Sequence, residues 1–325
     1  MKAAIVARYG PPENAAIRDL PAPAPADRDV LIRIHATTVS SGDCRVRGAN
    51  FPRGFGFFAR LALGWSGPRR PILGAECAGT VAAIGSRVSR FRVGDEVFAF
   101  AGARFGSHAE YIALAEDAAI APKPAALSFD EAATLSFGGT AALHFLRDRA
   151  RIRRGERILI NGAGGSVGIA AVQIARHLGA HVTAICSSGK AARVRSLGAD
   201  ATIDYKTTSF AAIGERWNVI IDTVGNIAVQ DFRPALGKGA RLVLLAAGLP
   251  ELLAAPFQSA VGGFTVIGGV APGRLSDVMA LKELCDAGAY KPVIDSRFEF
   301  DDIVAAHRRV EAGGKTGSVV VTVAG

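Results

Sequence analysis

The stretch ILINGAGGSVGIAAVQIARHLGA, residues 158–180, decides the architecture of this chain. An apolar run ends at Asn161. The turn Gly162-Ala163-Gly164-Gly165-Ser166-Val167-Gly168 follows, and a segment of helical apolar period runs from Val167 to Leu178. Glycines permit the tight turn and let a diphosphate approach the backbone, while the helix N-terminus offers free N–H groups and the positive end of its dipole. A glycine pattern alone is a weak signal, but here it has the strand before it and the helix after it that a dinucleotide site needs.

The next strand, His181–Cys186, selects the cofactor. A site for NAD places an Asp or Glu at the end of this strand, ~20 residues past the loop, to bind the ribose 2′-hydroxyl. Here the chain reads Cys186-Ser187-Ser188-Gly189-Lys190, with Arg193 one turn on. Two hydroxyls and a cation suit a 2′-phosphate, which a carboxylate would repel. The expected cofactor is NADPH; the competing reading leaves Lys190 as a mere decoration of a helix start.

Outward from this unit the pattern continues as strand and helix in alternation. Strands are expected at Arg157–Asn161, Asn218–Thr223, Arg241–Leu245 and Phe264–Ile267, with helices at Lys190–Leu197, Arg274–Ala287 and Asp301–Glu311 and a closing strand at Ser318–Val323. Such alternation argues for a doubly wound parallel sheet with helices on both faces. Before it, Ser128-Phe-Asp-Glu131 is a capping box that opens a helix running towards Ala150. The first ~120 residues are instead β-rich. Strands are expected at Met1–Ala7, Val30–Val39, Ala78–Ile84, Glu96–Phe100 and Ala109–Leu114, and Leu20–Ala26 is a Pro-rich connector. Phe51–Pro71 is rich in Phe, Leu and Trp. It reads equally as a segment packed on the β block or as an apolar lid over a pocket.

Composition excludes several classes. The net charge of +9 is scattered rather than clustered and has no aromatic ladder beside it, so no nucleic-acid partner is expected. No apolar stretch approaches the ~20 residues of a membrane span, and no signal peptide is legible, so the expectation is a cytoplasmic protein without a membrane partner. Cys44, Cys77, Cys186 and Cys285 form no C-x-x-C unit and are expected as buried free thiols.

In order, the chain carries HATTVSSGDCRVRG (35–48), PILGAECAGTVAAIG (71–85), FRVGDEVFAF (91–100), GSHAEYIAL (106–114), GAGGSVG (162–168), SLGADATIDY (196–205), DTVG (222–225) and GKTGSVVVTV (314–323). In this order and spacing they resemble the medium-chain dehydrogenase/reductase superfamily, in its zinc-free quinone-oxidoreductase branch. The resemblance implies an α/β architecture: a GroES-like, β-barrel-type catalytic domain of residues 1–124 and 270–325, and a Rossmann NADPH-binding domain of residues 125–269. It implies a cofactor between the two, with Val224 and Gly225 and the strand end at Ala246 and Ala247 on the nicotinamide side. Tyr205 matches a position beside the adenosine phosphate, and Lys315 a basic position near the cofactor. It further implies a homodimer through the segment Gly262–Val270, expected as an apolar edge strand that needs cover.

Zinc members of the superfamily place a catalytic Cys and a His where this chain has Ser40 and Ala75, although Glu76 remains. Cys44 is displaced from the ligand position, the Cys-rich loop of a structural zinc is missing, and His108 reads as a hydrogen-bonded structural residue, so no metal site is expected. Without such a Lewis acid the substrate must itself accept hydride readily, as a quinone or an α,β-unsaturated carbonyl does. The expected partner is thus a small apolar carbonyl, enone or quinone. The chain departs from its relatives at Ser40 and Arg45, where some carry Asn and Tyr. Ser40 is a candidate donor to a carbonyl and Arg45 a candidate for holding enolate charge. Arg45 reads equally as a surface charge, the favoured reading for Arg47, while Asp43 is expected to position its loop. Thr140, one place early, is expected to miss a nicotinamide contact. Two alternatives stay open: an enoyl-thioester reductase of a biosynthetic pathway, and a non-catalytic NADPH-binding sensor or interaction protein. A zinc alcohol dehydrogenase is the least supported.

Overall fold

A computed structural model describes residues 1–323. Among these the first block holds β1 (Lys2–Val6), β2 (Ala15–Asp19), β3 (Asp29–Val39), α1 (Ser41–Gly48), α2 (Gly56–Leu63), β4 (Glu76–Ile84), β5 (Glu96–Phe100), β6 (Tyr111–Ala115) and β7 (Ile120–Pro122). β1 and β2 pair as a separate antiparallel ribbon. Two short helices, α3 (Phe129–Ala132) and α4 (Ser136–Ala142), lead into the second block. That block runs β8 (Arg157–Asn161), α5 (Ser166–His177), β9 (His181–Cys186), α6 (Ser188–Ser196), β10 (Ala201–Asp204), β11 (Trp217–Asp222), α7 (Val229–Phe232), β12 (Leu236–Leu244), α8 (Leu249–Gly262) and β13 (Thr265–Gly268). α9 (Leu275–Asp286), β14 (Ile294–Glu299), α10 (Ile303–Glu311) and β15 (Ser318–Thr322) close the order.

The second block is a six-stranded, fully parallel sheet of order β10-β9-β8-β11-β12-β13. Its central strands read as unbroken apolar runs because both faces are covered, as Ile158–Ile160 and Val219–Ile221 illustrate with complete burial. The strand order reverses between β8 and β11, which opens a crevice at their carboxyl ends. The first block and the chain's closing strand share a seven-stranded sheet of order β14-β15-β3-β4-β5-β7, with β6 also paired to β3. β15 joins β3 at Val319–Thr322 against Ala36–Val39, so residues from both ends of the chain build one sheet. Together the two sheets form the GroES-like and Rossmann α/β architecture.

Three expectations are corrected. The helix opened by Ser128 does have its capping box, with Ser128 and Glu131 bonded reciprocally, but it stops at Ala132. A second helix starts at Ser136, and the stretch Leu143–Arg149 is wound wider, with the Ala150 N–H donating to the Phe145 carbonyl. The break lets α4 lie close on α5, where a Cβ at Gly138 would stand 2.5 Å from the Ser166 carbonyl oxygen. Arg47 is not a surface charge. α1 turns it inward, where it is fully buried, donating to the Gly10 carbonyl and paired with Glu311. Cys44, Cys77 and Cys186 are buried, but Cys285, on α9, is only half-buried.

Candidate active site

The crevice at the switch point is built by two strand ends. Asn161 closes β8 and donates to the Asp222 carboxylate at the end of β11, at 2.8 Å. Asp222 also accepts from the backbone of Val224 and Gly225, which curls the chain after β11 into the crevice. Asp222 belongs to the DTVG motif, but its role as the organiser of this turn, with Asn161, is a contact between strands distant in sequence and has no local signal.

In the glycine loop each glycine answers a different constraint. Gly162 sits at φ +79°, where other residues are strained, and a Cβ there would meet Val224 and Thr223 at 2.4 and 2.5 Å. Gly168 is on α5, and a Cβ there would stand 2.1 Å from the Gly162 carbonyl oxygen. Gly165 is the N-cap of α5 with no side-chain cap bond, and a Cβ there would find nothing nearer than 3.6 Å. Space therefore lies above the first free N–H groups of α5, where a diphosphate is held in such turns. Ala163 is buried in the loop, and Ser166 opens the helix with Val167 next to it.

Two lysines 125 residues apart in the sequence converge on this loop. The Lys190 side chain lies against Gly164, whose added Cβ would meet Lys190 Cδ at 2.6 Å, and its Nζ donates to the Lys315 carbonyl at 2.8 Å. Lys315 Nζ donates to Ser166 Oγ at 2.8 Å and to the Gly317 carbonyl at 2.6 Å. The backbone continues the clasp: Gly317 N–H donates to the Gly164 carbonyl, and Ser166 Oγ donates to that of Gly317. Burial pushes the Lys315 ammonium down to about 8 and lowers Lys190 as well, the state of cations held away from water without a full counter-charge. Ser187 caps α6 by position and Ser188 opens it. The adjacent Asp204 is turned onto the backbone N–H groups of Ser188 and Lys206, and Tyr205 stands exposed beside it.

On the other side of the crevice a cavity of about 880 Å³ is lined by Arg45, Arg53, Asp222, Val224, Gly225 and Ala246, with Ala247 and residues of α8 beyond. The structure thus brings Arg45, Val224, Gly225, Ala246 and Ala247 to one cavity. It places Ser40 apart from them. Ser40 is the N-cap of α1, buried, accepting from the Asp43 N–H and donating its only hydroxyl hydrogen to the Asp43 carboxylate at 2.6 Å. Asp43 also accepts from Ser40 N–H and Gly74 N–H, at 2.8 and 3.0 Å. Buried and bonded in this way, it fastens α1, and Arg45 on it, to the loop before β4. Asp43→Ala strands these donors and is expected to lower stability by about 2–3 kcal/mol in denaturant unfolding; an unchanged midpoint would refute the fastening role. Thr140 is buried with no partner for its hydroxyl and does not line the cavity. Arg53 and Arg233, which do, escaped sequence reading because no local motif marks them.

The donor set does not fit a catalytic zinc. Ser40 and Ala75 stand where thiolate and imidazole ligands are needed. The Glu76 carboxylate is taken by Thr38 Oγ1 at 2.7 Å and by Phe137 N–H at 2.6 Å. His108 is buried and bonded through Nε2 to the Thr38 carbonyl at 3.0 Å, as its structural reading required. Cys44, on the inward face of α1, packs against His307, and burial pushes its thiol up to about 12. No group of three or more His, Cys, Asp or Glu among the described residues is arranged to hold a metal ion.

Comparison with known proteins agrees with this geometry. Residues 26–125 match the alcohol dehydrogenase GroES-like domain, and residues 197–321 match the model described as zinc-binding dehydrogenase. The chain is 32% identical to the 2-methylene-furan-3-one reductase of Solanum lycopersicum, over 95% of this chain and 74% of that one. It is 27% identical to the quinone oxidoreductase of Homo sapiens, over 99% and 97%. The solved quinone oxidoreductase of Coxiella burnetii superposes with a TM-score of 0.86 at 26% identity, covering 100% of this chain and 99% of that one.

Proposed function

Because the chain belongs to the medium-chain dehydrogenase/reductase superfamily, in its zinc-free quinone-oxidoreductase-like branch, we propose that it passes hydride from NADPH to a quinone or an α,β-unsaturated carbonyl. The convergence of Lys190 and Lys315 on the glycine loop carries the cofactor half of this reading. A 2′-phosphate between Lys190, Ser187, Ser188 and Tyr205 would meet charge-assisted donors, and the nearby carboxylates are already engaged, Asp204 by the backbone N–H groups of Ser188 and Lys206 and Asp295 by Arg309 and the Thr316 N–H. Gly162 to Gly168 and the α5 N-terminus would hold the diphosphate, with Lys315 closing the loop from the other domain.

When bound, NADPH supplies the hydride. The chain's own part is to place the acceptor in the cavity floored by Val224, Gly225, Ala246 and Ala247. Arg45 lines that cavity as a fixed positive charge beside the oxygen on which negative charge gathers. The names of the tomato and human relatives support an enone or quinone acceptor. An edge strand, β13, next to α8 with its exposed Leu253, Phe257 and Val261, supports pairing into a homodimer.

Binding of NADPH and NADH to wild type and Lys190→Ala tests the cofactor half. Wild type is expected to prefer NADPH by at least tenfold, about 1.4 kcal/mol, and the variant to lose most of that preference. Equal binding of the two cofactors by wild type would sink the assignment. Oxidation of NADPH in the presence of quinones and enones tests the acceptor half; tight binding without turnover on any of them would count against it.

A further inference from the structure

The segment between β3 and β4 holds a feature that the proposed reaction does not use. Phe51 and Leu63 pack onto the β block, but between them the chain turns its largest apolar groups outward. Phe57 is 62% exposed, Phe58 56%, Leu61 57% and Trp65 62%, and no residue of α2 is buried. They form one patch: the Phe57 ring meets Phe58 edge-on at 5.7 Å and Trp65 at 6.0 Å, and Leu61 follows one helical turn after Phe57. The patch is not a wall of the substrate cavity, to which this segment contributes Arg45, Asn50, Pro52 and Arg53.

Arginines surround the patch. Arg60, Arg69 and Arg70 flank it, and the sequence has no Asp or Glu between Asp43 and Glu76. Arg60 donates to the Trp65 carbonyl at 2.7 Å and Arg70 to that of Arg104 at 3.1 Å, so both are held by backbone oxygens that leave their charge uncancelled. Beneath α2 lies a second cavity, of about 350 Å³, with Arg69 and Arg70 at its rim and Val46, Leu63 and Phe105 among its apolar walls.

We propose that this face docks the protein on the surface of an anionic lipid bilayer. Phe57, Phe58, Leu61 and Trp65 enter the headgroup–acyl boundary, the arginines pair with lipid phosphates, and the rim of the smaller cavity receives one headgroup. An exposed helix of Phe and Leu, with a Trp just past its end and cations beside it, has the composition of an interfacial anchor. Its basic character fits the negative potential of an anionic leaflet. In a two-fold contact a second copy of the chain is the poorer occupant of this face, because the segment has no carboxylate to meet its own arginines. No described helix is long and apolar enough to cross a membrane, so the attachment is peripheral, and the expectation of no membrane partner, which rested on the lack of a span, gives way to it.

Cosedimentation with vesicles of phosphatidylglycerol and phosphatidylcholine in equal parts tests the proposal, with pure phosphatidylcholine vesicles alongside. Wild type is expected to pellet with the anionic vesicles, less so at high salt, and to stay in solution with the neutral ones. The triple variant Phe57→Ser/Phe58→Ser/Trp65→Ser, and separately Arg69→Glu/Arg70→Glu, are expected to lower the bound fraction about tenfold. Thermal unfolding and NADPH binding serve as the check that each variant folds. Fluorescence gives a second readout, since of the two tryptophans Trp65 is exposed and Trp217 buried. Anionic vesicles are expected to shift the emission to the blue in wild type and not in Trp65→Phe. Failure to pellet with anionic vesicles overturns the proposal, as does pelleting that the triple variant leaves unchanged. So does self-association that the triple variant abolishes while vesicles capture nothing.

Discussion

Gly168→Val is expected to weaken dinucleotide binding on the order of a hundredfold, about 2.8 kcal/mol, while Gly165→Ala leaves thermal stability as it is. The two glycines sit three residues apart in one loop and face opposite constraints. A Cβ at Gly168 would lie 2.1 Å from the Gly162 carbonyl oxygen and 2.7 Å from Ala163 Cα, both backbone atoms. Relief requires moving α5 away from the end of β8, and with it the N–H groups that would face the diphosphate. At Gly165 the backbone has an ordinary negative φ and open space around the position where a Cβ would be added. A methyl there costs the fold little but stands in the volume a phosphate would take, so binding is expected to fall without loss of stability. Titration of NADPH by calorimetry and a thermal melt on each variant check both statements. Wild-type affinity in Gly168→Val would show that the loop is not where the cofactor binds.

Glu76→Gln is expected to stabilise the protein, increasingly so as pH rises. Burial pushes the Glu76 carboxyl up to about 7 from an ordinary value of 4.5, and its bonds from Thr38 and Phe137 only partly oppose this. An acid whose folded-state value is raised binds its proton more tightly when folded. The resulting stability is fully present below the ordinary value and is lost as pH climbs through about 7. A shift of this size is worth about 3 kcal/mol. Glutamine carries no charge at any pH. Its amide oxygen can accept from Phe137 N–H and its amide nitrogen can donate to Thr38 Oγ1, whose hydroxyl rotates to suit. Denaturant unfolding near pH 5 and near pH 8 should therefore show the gap between variant and wild type widening by about 2–3 kcal/mol. A gap that stays constant across this range would mean that Glu76 keeps its charge at little cost.

The parallel sheet was legible in the sequence because strands buried on both faces leave continuous apolar runs, and the loop was legible because its glycines lie between such a run and a helical period. Strands with polar or short sequences were not: β2, β10 and β14 carry Arg18, Asp204 and Arg297 among their residues and gain their place from their neighbours. α1 was hidden for the same reason, since SGDCRVRG has no apolar stripe, and its inward face is made of Asp43, Cys44, Val46 and Arg47. The burial of Arg47 depends on Gly10 and Glu311, partners distant in sequence. Ser40 illustrates the opposite failure. Its position in the motif suggested a donor to substrate, but the carboxylate three residues later takes its hydrogen. Of the cavity, Arg45 and the strand ends Val224, Gly225, Ala246 and Ala247 were marked by motif, whereas Arg53, Arg233 and α8 join them only in space.

β3 pairs along its first half with β6 and along its second half with β15, while β4 occupies its other side. Translation delivers these partners at very different times. When β3 to β7 have emerged from the ribosome, the stretch Ala36–Val39 still has an open edge, and it stays open while the whole Rossmann sheet is made and folded. The final described strand closes this edge and, through Gly317 and Lys315, also latches the glycine loop. The nascent chain therefore carries an unpaired, valine-ended edge through most of its synthesis, an edge that invites pairing with a neighbouring copy. A chain truncated before residue 314 would lose the seam of this sheet and the latch on the glycine loop in one stroke, so partial products of synthesis should be prone to aggregate and to leave that loop unheld.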